Sequence, residues 1–180
     1  MINEIENPAE GEGDMGYEIH YSGEISVIPP LNAAEVAFLS DFAGSRRVER
    51  LSGPYRCDGG PRPEPADPDI LDRNTPPSGQ PGLFCGWTPR SDGAALQAPK
   101  VGDYFNPAEW LTYLIETFLS PSCSLKHELQ NPVPGRVYPQ EFSHFTFDHV
   151  LNGEVVAEAP ELGVREILRV TDNVASRGSA

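Results

Sequence analysis

Apolar and polar residues alternate along residues 16–28, which read GYEIHYSGEISVI. One parity carries Tyr17, Ile19, Tyr21, Ile25 and Val27, and the other carries Glu18, His20, Ser22, Glu24 and Ser26. Such alternation predicts a β-strand with one buried face and one solvent-facing face. Gly23 falls on the apolar parity and predicts a β-bulge at this point.

Two further segments have the periodicity of amphipathic helices. In the first, Asn32 is a predicted N-cap, Glu35 completes a capping box three residues later, and Gly44 predicts the end of the helix. In the second, NPAEWLTYLIETFL, Asn106 is the predicted cap and Pro107 the first helical residue. The apolar residues of this second segment form a wide stripe, which predicts packing against a sheet.

Turn residues between apolar runs predict two hairpins. The first, LFCGWTP-RSDG-AALQA, has its turn at Asp92-Gly93. The second lies in FTFDHVLNGEVVAEA, where a two-residue turn at Asn152-Gly153 would pair residues 145–151 with residues 154–159. A turn at residues 160–163 and a last strand, VREILRVT, follow.

Proline-rich stretches separate these elements. Residues 45–82 hold eight prolines and residues 121–141 hold four, so both are predicted to be long irregular loops. Residues 1–15 carry five acidic residues and no basic one, which predicts a flexible acidic tail. The chain is then expected to form a single domain over residues 16–175, with a flexible C-terminus at 176–180.

The order of the predicted elements is β-α-ββ-α-βββ. Strands outnumber helices, and hairpins join most of them. This order is typical of an α+β fold, in which a largely antiparallel sheet carries helices on one face. We therefore expect two helices on one face of the sheet, with the two proline-rich loops as excursions.

The charge balance limits the classes of partner. Lys and Arg number 13 and Asp and Glu number 27, which gives a net charge of −14. Such a chain repels phosphate, so no direct binding of nucleic acid is expected. No apolar run approaches the roughly 20 residues of a membrane span, and the N-terminus lacks the basic and apolar regions of a secretory signal. A cytoplasmic protein with protein partners is the expectation.

The sequence contains only weak signals for a metal, catalytic or phosphate-binding site. Cys123, His127, His144 and His149 could be combined into a zinc site, but His144 and His149 differ in strand parity and no CxxC pair is present. Nothing in the spacing selects Cys85 or Cys123 as a catalytic thiol. GEGDMG and GGPRPEP lack the strand and helix of a phosphate-binding loop. No catalytic residue, metal ligand or cofactor is predicted.

The segment around His149 has a structural interpretation. On the predicted hairpin, His149 shares a face with Phe145, Phe147 and Leu151, and Asp148 points to the opposite face. We therefore expect His149 to be a buried or half-buried sheet residue with a hydrogen-bond partner. A catalytic pair of Asp148 and His149 is not expected.

Four pieces of the chain together resemble a known family. They are GYEIHYSGEISVIPPL at 16–31, CGWTPRSDGAAL at 85–96, EWLTYLIETFL at 109–119 and FDHVLNGEVVAEA at 147–159. They are similar to small proteins of actinobacteria and their phages, which pair a Gly-Tyr strand near the N-terminus with a Trp-Leu helix and a late LNG hairpin. The resemblance covers about half of the chain. It implies a bacterial or phage origin, but no activity and no site residue.

These observations predict a non-enzymatic, acidic protein-binding module, with an inhibitor of a basic host protein as its sharper form. The contact surface is expected in residues 45–82 and 121–141. The candidate contact residues are basic or aromatic and lie in or beside these loops: Arg46, Arg47, Arg50, Tyr55, Trp87 and Tyr138. One alternative is a structural or accessory component of a phage particle, which would place the protein in the virion. Another is a small enzyme of unfamiliar type.

Overall fold

The computed structural model describes residues 18–103 and 105–179. The strands are β1 (Ile19–Ile28), β2 (Glu49–Arg50), β3 (Ile70–Asp72), β4 (Thr88–Pro89), β5 (Ala95–Gln97), β6 (Val101–Gly102), β7 (Val150–Ala159), β8 (Val164–Thr171) and β9 (Val174–Ser179). The helices are α1 (Ala33–Gly44), α2 (Pro107–Leu114) and α3 (Ser124–Glu128), with a π-helical turn at Ile115–Leu119 and 3-10 turns at Gln140–His144 and Pro160–Leu162. The predicted acidic tail at 1–15 lies outside the described residues.

The main sheet is antiparallel and confirms the predicted α+β fold. Its strands lie in the order β4-β5-β1-β7-β8-β9, and β6 also pairs with β1. Strands β2 and β3 form a separate small sheet. The buried face of the main sheet carries Ile25, Leu151, Val155 and Leu168, which belong to one hydrophobic core with the aromatic side chains of α1 and α2.

The opposite face of the sheet is polar, as the alternation in β1 predicts. Cross-strand ion pairs cover it: Glu154 with Arg169 at 2.6 Å and Glu158 with Arg165 at 2.9 Å. This distribution places the hydrophobic core on one side of the sheet, where α1 and α2 lie.

The structure confirms the predicted helix caps and the first predicted turn only in part. The Asn32 capping box is confirmed, since the Asn32 side chain accepts from the Glu35 amide and Glu35 accepts from the Asn32 amide. The turn at Asp92-Gly93 between β4 and β5 is also confirmed. Helix α2 begins as predicted, with Asn106 at the N-cap position and Pro107 as the first residue. Asn106 has a left-handed backbone with φ of 55°, however, and its side chain makes no capping hydrogen bond.

The hairpin predicted at Asn152-Gly153 is wrong. Both residues lie inside β7, where Asn152 pairs with Ser26 and Gly153 pairs with Ile25. The reason is tertiary: β1 pairs with β7 over nine residue pairs, from His20–Glu158 to Ile28–Val150, and this ladder outweighs the local turn preference. Gly23 pairs with Val155 in the same ladder without a change of register, so the predicted bulge is not formed.

The two glycines instead allow a close approach of β1 and β7. A Cβ atom on Gly153 would lie 2.6 Å from the backbone oxygen of Glu24, and one on Gly23 would lie 2.3 Å from that of Glu154. Both glycines have positive φ, at 147° and 98°. A side chain at either position would therefore push the two central strands apart.

The last tight turn joins β8 to β9 at Asp172-Asn173, where both residues have positive φ. A flexible C-terminus is predicted at 176–180, and residues 176–179 of that stretch lie in the paired strand β9. The Asn173 side chain accepts from the Leu151 amide at 2.7 Å and donates to the His149 carbonyl at 3.0 Å. These bonds fix the turn against the start of β7.

Helix α2 continues into a π-helical turn before it ends. The Ser120 amide donates to the Ile115 carbonyl at 3.0 Å, five residues earlier. The helix ends at Ser120-Pro121, as predicted. In the described part of the chain, no helix is long and apolar enough to cross a membrane.

Candidate functional site

The two proline-rich stretches meet in space. The Val137 amide donates to the Ser52 carbonyl at 2.9 Å, and the rings of Tyr55 and Tyr138 lie 5.9 Å apart. We call this surface the loop junction and define it as residues 51–58 and 133–141 together with Phe38 and Asp41 of α1. The structure thus brings together the two regions in which a contact surface is predicted.

A carboxylate clamp holds the loop junction together. Glu128 of α3 accepts from Tyr55 at 3.0 Å, from Tyr138 at 2.6 Å and from Arg136 at 2.6 Å. Burial alone would raise the pKa of Glu128, but these three hydrogen bonds outweigh it and lower the pKa. Burial and the neighbouring carboxylate raise the pKa of both tyrosines, so their hydroxyls remain donors. The clamp therefore joins an anion to three donors.

A second network orders the stretch at 45–82 from within. Arg50 contacts Asp67 at 2.7 Å and Asp69 at 3.4 Å, and Arg56 contacts Asp69 at 2.8 Å. The Ser52 hydroxyl also donates to Asp69. Burial would raise the pKa of Asp69, but the bonds from Ser52, Arg56 and Arg50 outweigh it and lower the pKa to about 2. Asp69 is therefore an anion at any physiological pH.

The structure buries four of the six candidate contact residues. They are Arg47 (2% exposed), Arg50 (8%), Tyr55 (3%) and Trp87 (1%). These residues were expected on a contact surface. The backbone carbonyl groups of a loop that folds on itself need hydrogen-bond donors, and buried polar side chains can supply them. These side chains are therefore part of the interior.

Arg47 and Trp87 show how this interior is built. The Arg47 guanidinium donates to the Pro54 carbonyl at 2.6 Å and to the Arg56 carbonyl at 3.2 Å, and it stacks on the Phe42 ring at 4.1 Å. The Trp87 indole donates to the Pro107 carbonyl at 2.9 Å. Each polar group fixes an irregular segment against a helix.

The other two candidates, Arg46 and Tyr138, are half-buried. Arg46 donates to the Arg73 carbonyl at 3.2 Å and lies over the ring of Phe84 at 5.5 Å. Tyr138 belongs to the loop junction through the clamp on Glu128. A contact role for these two residues stays a prediction.

A cavity of about 500 Å³ opens at the loop junction. Phe38, Val137 and Pro139 form apolar walls, and Cys57 also lines the cavity. Its charged residues are Asp41, Asp58, Glu141 and Arg56. Arg56 is paired with Asp58 and Asp69, whereas Asp41 and Glu141 form no ion pair within the described residues. The cavity therefore combines apolar walls with unneutralised carboxylates.

Sequence reasoning missed the residues that line this cavity. Asp41 is an exposed residue of α1, Val137 lies in an irregular loop, and Glu141 lies in the 3-10 turn that follows it. Their proximity depends on the hydrogen bond between the two loops. No local pattern in the sequence signals it.

A buried pair of ionisable groups lies elsewhere, at the start of α1. His149 Nε2 is 3.1 Å from Glu35 Oε1, and both side chains are 1% exposed. The same Glu35 oxygen accepts from the Thr146 amide at 2.8 Å, and the other Glu35 oxygen accepts from the Asn32 amide. His149 Nδ1 lies 2.7 Å from the Pro29 carbonyl, which requires a proton on that nitrogen.

These contacts set the charges of the pair. Burial would raise the pKa of Glu35, but hydrogen bonds from His149, Thr146 and Asn32 outweigh it and lower the pKa. Burial would lower the pKa of His149, but the bonds to Glu35 and Pro29 outweigh it and raise the pKa. Both shifts favour the charged forms of the pair, an imidazolium beside a carboxylate.

The structure confirms one prediction about His149 and corrects another. It is buried and hydrogen-bonded, as expected, but it precedes β7 rather than lying in a strand. Asp148 is exposed, and its carboxylate lies 3.9 Å from His149 Nδ1. Neither Glu35 nor His149 lines the cavity at the loop junction, and the pair joins the start of α1 to the segment before β7.

The remaining histidines and cysteines are scattered. Cys85 and Cys123 are buried, and His127 and His144 are exposed. Across residues 18–103 and 105–179, no three His, Cys, Asp or Glu side chains form a group that could hold a metal ion. Burial raises the pKa of Cys85 to about 12, which leaves this thiol protonated.

No protein-family model, no curated protein and no solved structure matches this chain. The resemblance to the actinobacterial and phage proteins stays a prediction. Residues, distances and charges of the loop junction are the basis for a functional proposal.

Proposed function

We propose that this protein is a non-enzymatic protein-binding module of the cytoplasm that receives a basic side chain of a protein partner at the loop junction. The observation that carries the proposal is the cavity of about 500 Å³ with apolar walls and the carboxylates of Asp41 and Glu141, which have no ion-pair partner among the described residues. A Lys or Arg side chain has an apolar stem and a charged head, which match such a cavity.

The surroundings of the cavity support a protein as the source of this side chain. Three apolar residues of the loop junction are exposed, Leu51 by 67%, Val137 by 50% and Val133 by 40%. Exposed apolar side chains next to charged groups are typical of interfaces between proteins. The net charge of −14 attracts basic partners and repels nucleic acid.

The rigidity of the junction also supports binding. The clamp on Glu128 and the network around Asp69 fix both walls before a partner arrives. A preformed surface binds more tightly than one that must first be ordered, because less conformational entropy is lost. An irregular loop on a rigid sheet is a common arrangement for recognition.

Selection from a library of random peptides tests the proposal. We expect wild-type protein to enrich peptides that carry Lys or Arg beside apolar residues. The double variant D41N/E141Q removes both unpaired charges without a change of shape, and we expect it to bind a selected peptide at least about 10-fold more weakly. The matched control E64Q/E161Q removes two exposed charges outside the cavity and should bind like wild type.

A chemical block provides an independent readout. Cys57 lines the cavity and is half-buried, whereas Cys85 and Cys123 are buried. Alkylation of Cys57 should abolish binding of the selected peptide, and C57S should bind it normally with or without the reagent. Selection of peptides without a basic residue, or equal binding by both double variants, would refute the proposal.

A further inference from the structure

A second concave region lies on the exposed side of α2, away from the loop junction. One cavity of about 540 Å³ extends from α2 to β9, and another of about 780 Å³ extends towards α3. The two cavities share Gly79, Tyr113, Glu116 and Thr117 in their walls. We call this continuous surface the helix groove.

The floor of the helix groove contains a hydroxyl without a hydrogen-bond partner. Ser120 is 6% exposed and lines the larger cavity, and its hydroxyl makes no hydrogen bond within the described part of the chain. In the described part of the chain this hydroxyl is not among the fully buried polar atoms that lack a partner, so it is accessible from the cavity. An unpartnered hydroxyl that faces a cavity indicates a place for a ligand.

The backbone at this floor is also unusual. Ser120 directly follows the π-helical turn at Ile115–Leu119, and Glu116 and Thr117 lie within that turn. π-helical turns are rare and recur at functional sites, where they direct side chains that a regular helix would not bring together. Here the turn places a carboxylate and hydroxyls on one cavity wall.

The charges of the helix groove select the ligand class. Glu116 is exposed and forms no ion pair within the described residues, whereas Arg177 contacts Glu109 and Glu166. The protein as a whole is strongly acidic, which disfavours anionic ligands. The groove therefore offers an anion and hydroxyl oxygens to a cation that donates hydrogen bonds.

A sugar is the less favoured occupant. Sugars bind proteins through hydroxyl contacts and through stacking on an exposed aromatic ring. The Tyr113 ring stacks on Phe42 at 6.2 Å and meets Trp110 edge-on at 5.7 Å, so its face is already covered. Its hydroxyl accepts from Gln80 at 3.0 Å.

We infer that the helix groove is a binding site for a primary alkylammonium group, held by the Glu116 carboxylate and by the hydroxyl oxygens of Ser120 and Thr117. An ammonium group has three N–H donors and no acceptor, so it matches one carboxylate and two hydroxyl groups. The lysine side chain of a polypeptide and a free polyamine share this chemistry. The inference is independent of the loop junction.

Calorimetric titration of the 180-residue chain tests the inference. The probes are spermidine and Nα-acetyl-lysine amide, with butanediol as the neutral analogue and succinate as the anion. The titration is carried out in the D41N/E141Q background, which removes the cation site proposed at the loop junction. There we expect at least one amine to bind at a single site, and the tighter of the two identifies the source of the ammonium group. E116Q should weaken this binding by about 5- to 10-fold and S120A by about 3-fold.

The control variant is E161Q, which removes an exposed charge on the turn between β7 and β8 and should leave the affinity unchanged. Circular dichroism verifies that each variant is folded, and amide shifts of Gly79 and Thr117 should follow the titration. Failure of both amines to bind would overturn the inference. Equal binding of butanediol, or equal weakening by E161Q and E116Q, would overturn it too, because the charge or its position would then be irrelevant.

Discussion

Glu35 and His149 face each other where the start of α1 meets the segment before β7. Each partner contributes to stability over a different pH range. The pKa of Glu35 is lowered from 4.5, so its contribution is complete above that pH and is lost as the pH falls through the lowered value. The pKa of His149 is raised from 6.5, so its contribution is complete below that pH and is lost as the pH rises through the raised value.

Stability should therefore depend on this pair most strongly between pH 4.5 and 6.5. In that window E35Q should lower the free energy of unfolding by about 3 kcal/mol, because it leaves a buried imidazolium unpaired. Well above the window the loss should be smaller, since His149 is then neutral in both proteins. Urea unfolding across the pH range measures the difference. A loss that does not vary with pH would contradict the assignment of charges.

Gly153 gives a second prediction at the scale of one residue. G153A should lower the free energy of unfolding by about 2 to 3 kcal/mol, because the new Cβ atom meets the Glu24 carbonyl and the backbone φ is positive. Gly163 has positive φ but open space around it, so G163A should cost about 1 kcal/mol. Equal losses in urea unfolding would show that the close approach of β1 and β7 is unimportant.

At the scale of elements, the β8–β9 turn tests how the edge of the sheet is fixed. N173A removes a residue that tolerates positive φ and deletes the bonds to Leu151 and His149, so we expect a loss of about 2 kcal/mol. N173G restores the backbone freedom alone and should recover part of the loss. Thermal unfolding and hydrogen exchange of β9 measure both effects. Identical behaviour of the two variants would assign the whole effect to the side-chain bonds.

The caps and turns of single elements show how much of this fold can be predicted from the sequence. Asn32 and Glu35 cap a helix through contacts within three residues, and Asp92-Gly93 turns between adjacent strands, so local pattern was sufficient. Asn152-Gly153 carries an equally strong local signal, but a partner strand 126 residues away takes both residues into a ladder. No turn is predicted at Asp172-Asn173, although Asp and Asn are residue types that tolerate the positive φ found there.

At the scale of the whole molecule, the chain divides into a sheet with its helices and an attached loop junction. The junction depends on contacts between distant residues: Tyr55 reaches Glu128 across 73 positions, and Arg47 reaches Gln80 across 33. Composition predicted where the loops lie in the sequence. It did not predict that long-range contacts give them a defined structure. The pairing of arginines with loop carbonyls and of tyrosines with a glutamate has no periodic signature, so the cavity between the loops could not be predicted.

This division predicts the effect of removing the clamp. E128A should speed amide exchange in both 51–58 and 133–141, because each stretch loses its contact with α3. Exchange in β1 and β7 should stay as slow as in wild type. Hydrogen exchange read by mass spectrometry separates these regions, with E161A as the control for loss of an exposed glutamate. Faster exchange throughout the protein would show that the junction and the sheet unfold together.

The π-helical turn at Ile115–Leu119 contains one residue more than an α-helix of the same length, because its hydrogen bond from Ser120 spans five residues instead of four. Deleting one residue from this turn would restore a regular helix without touching the sheet. Since each residue of an α-helix turns the chain by about 100°, the deletion would rotate Glu109 and Tyr113 relative to Ser120. Deletion of one codon would therefore leave a helix that packs on the sheet without the groove. Insertion of one codon at this point would restore the groove.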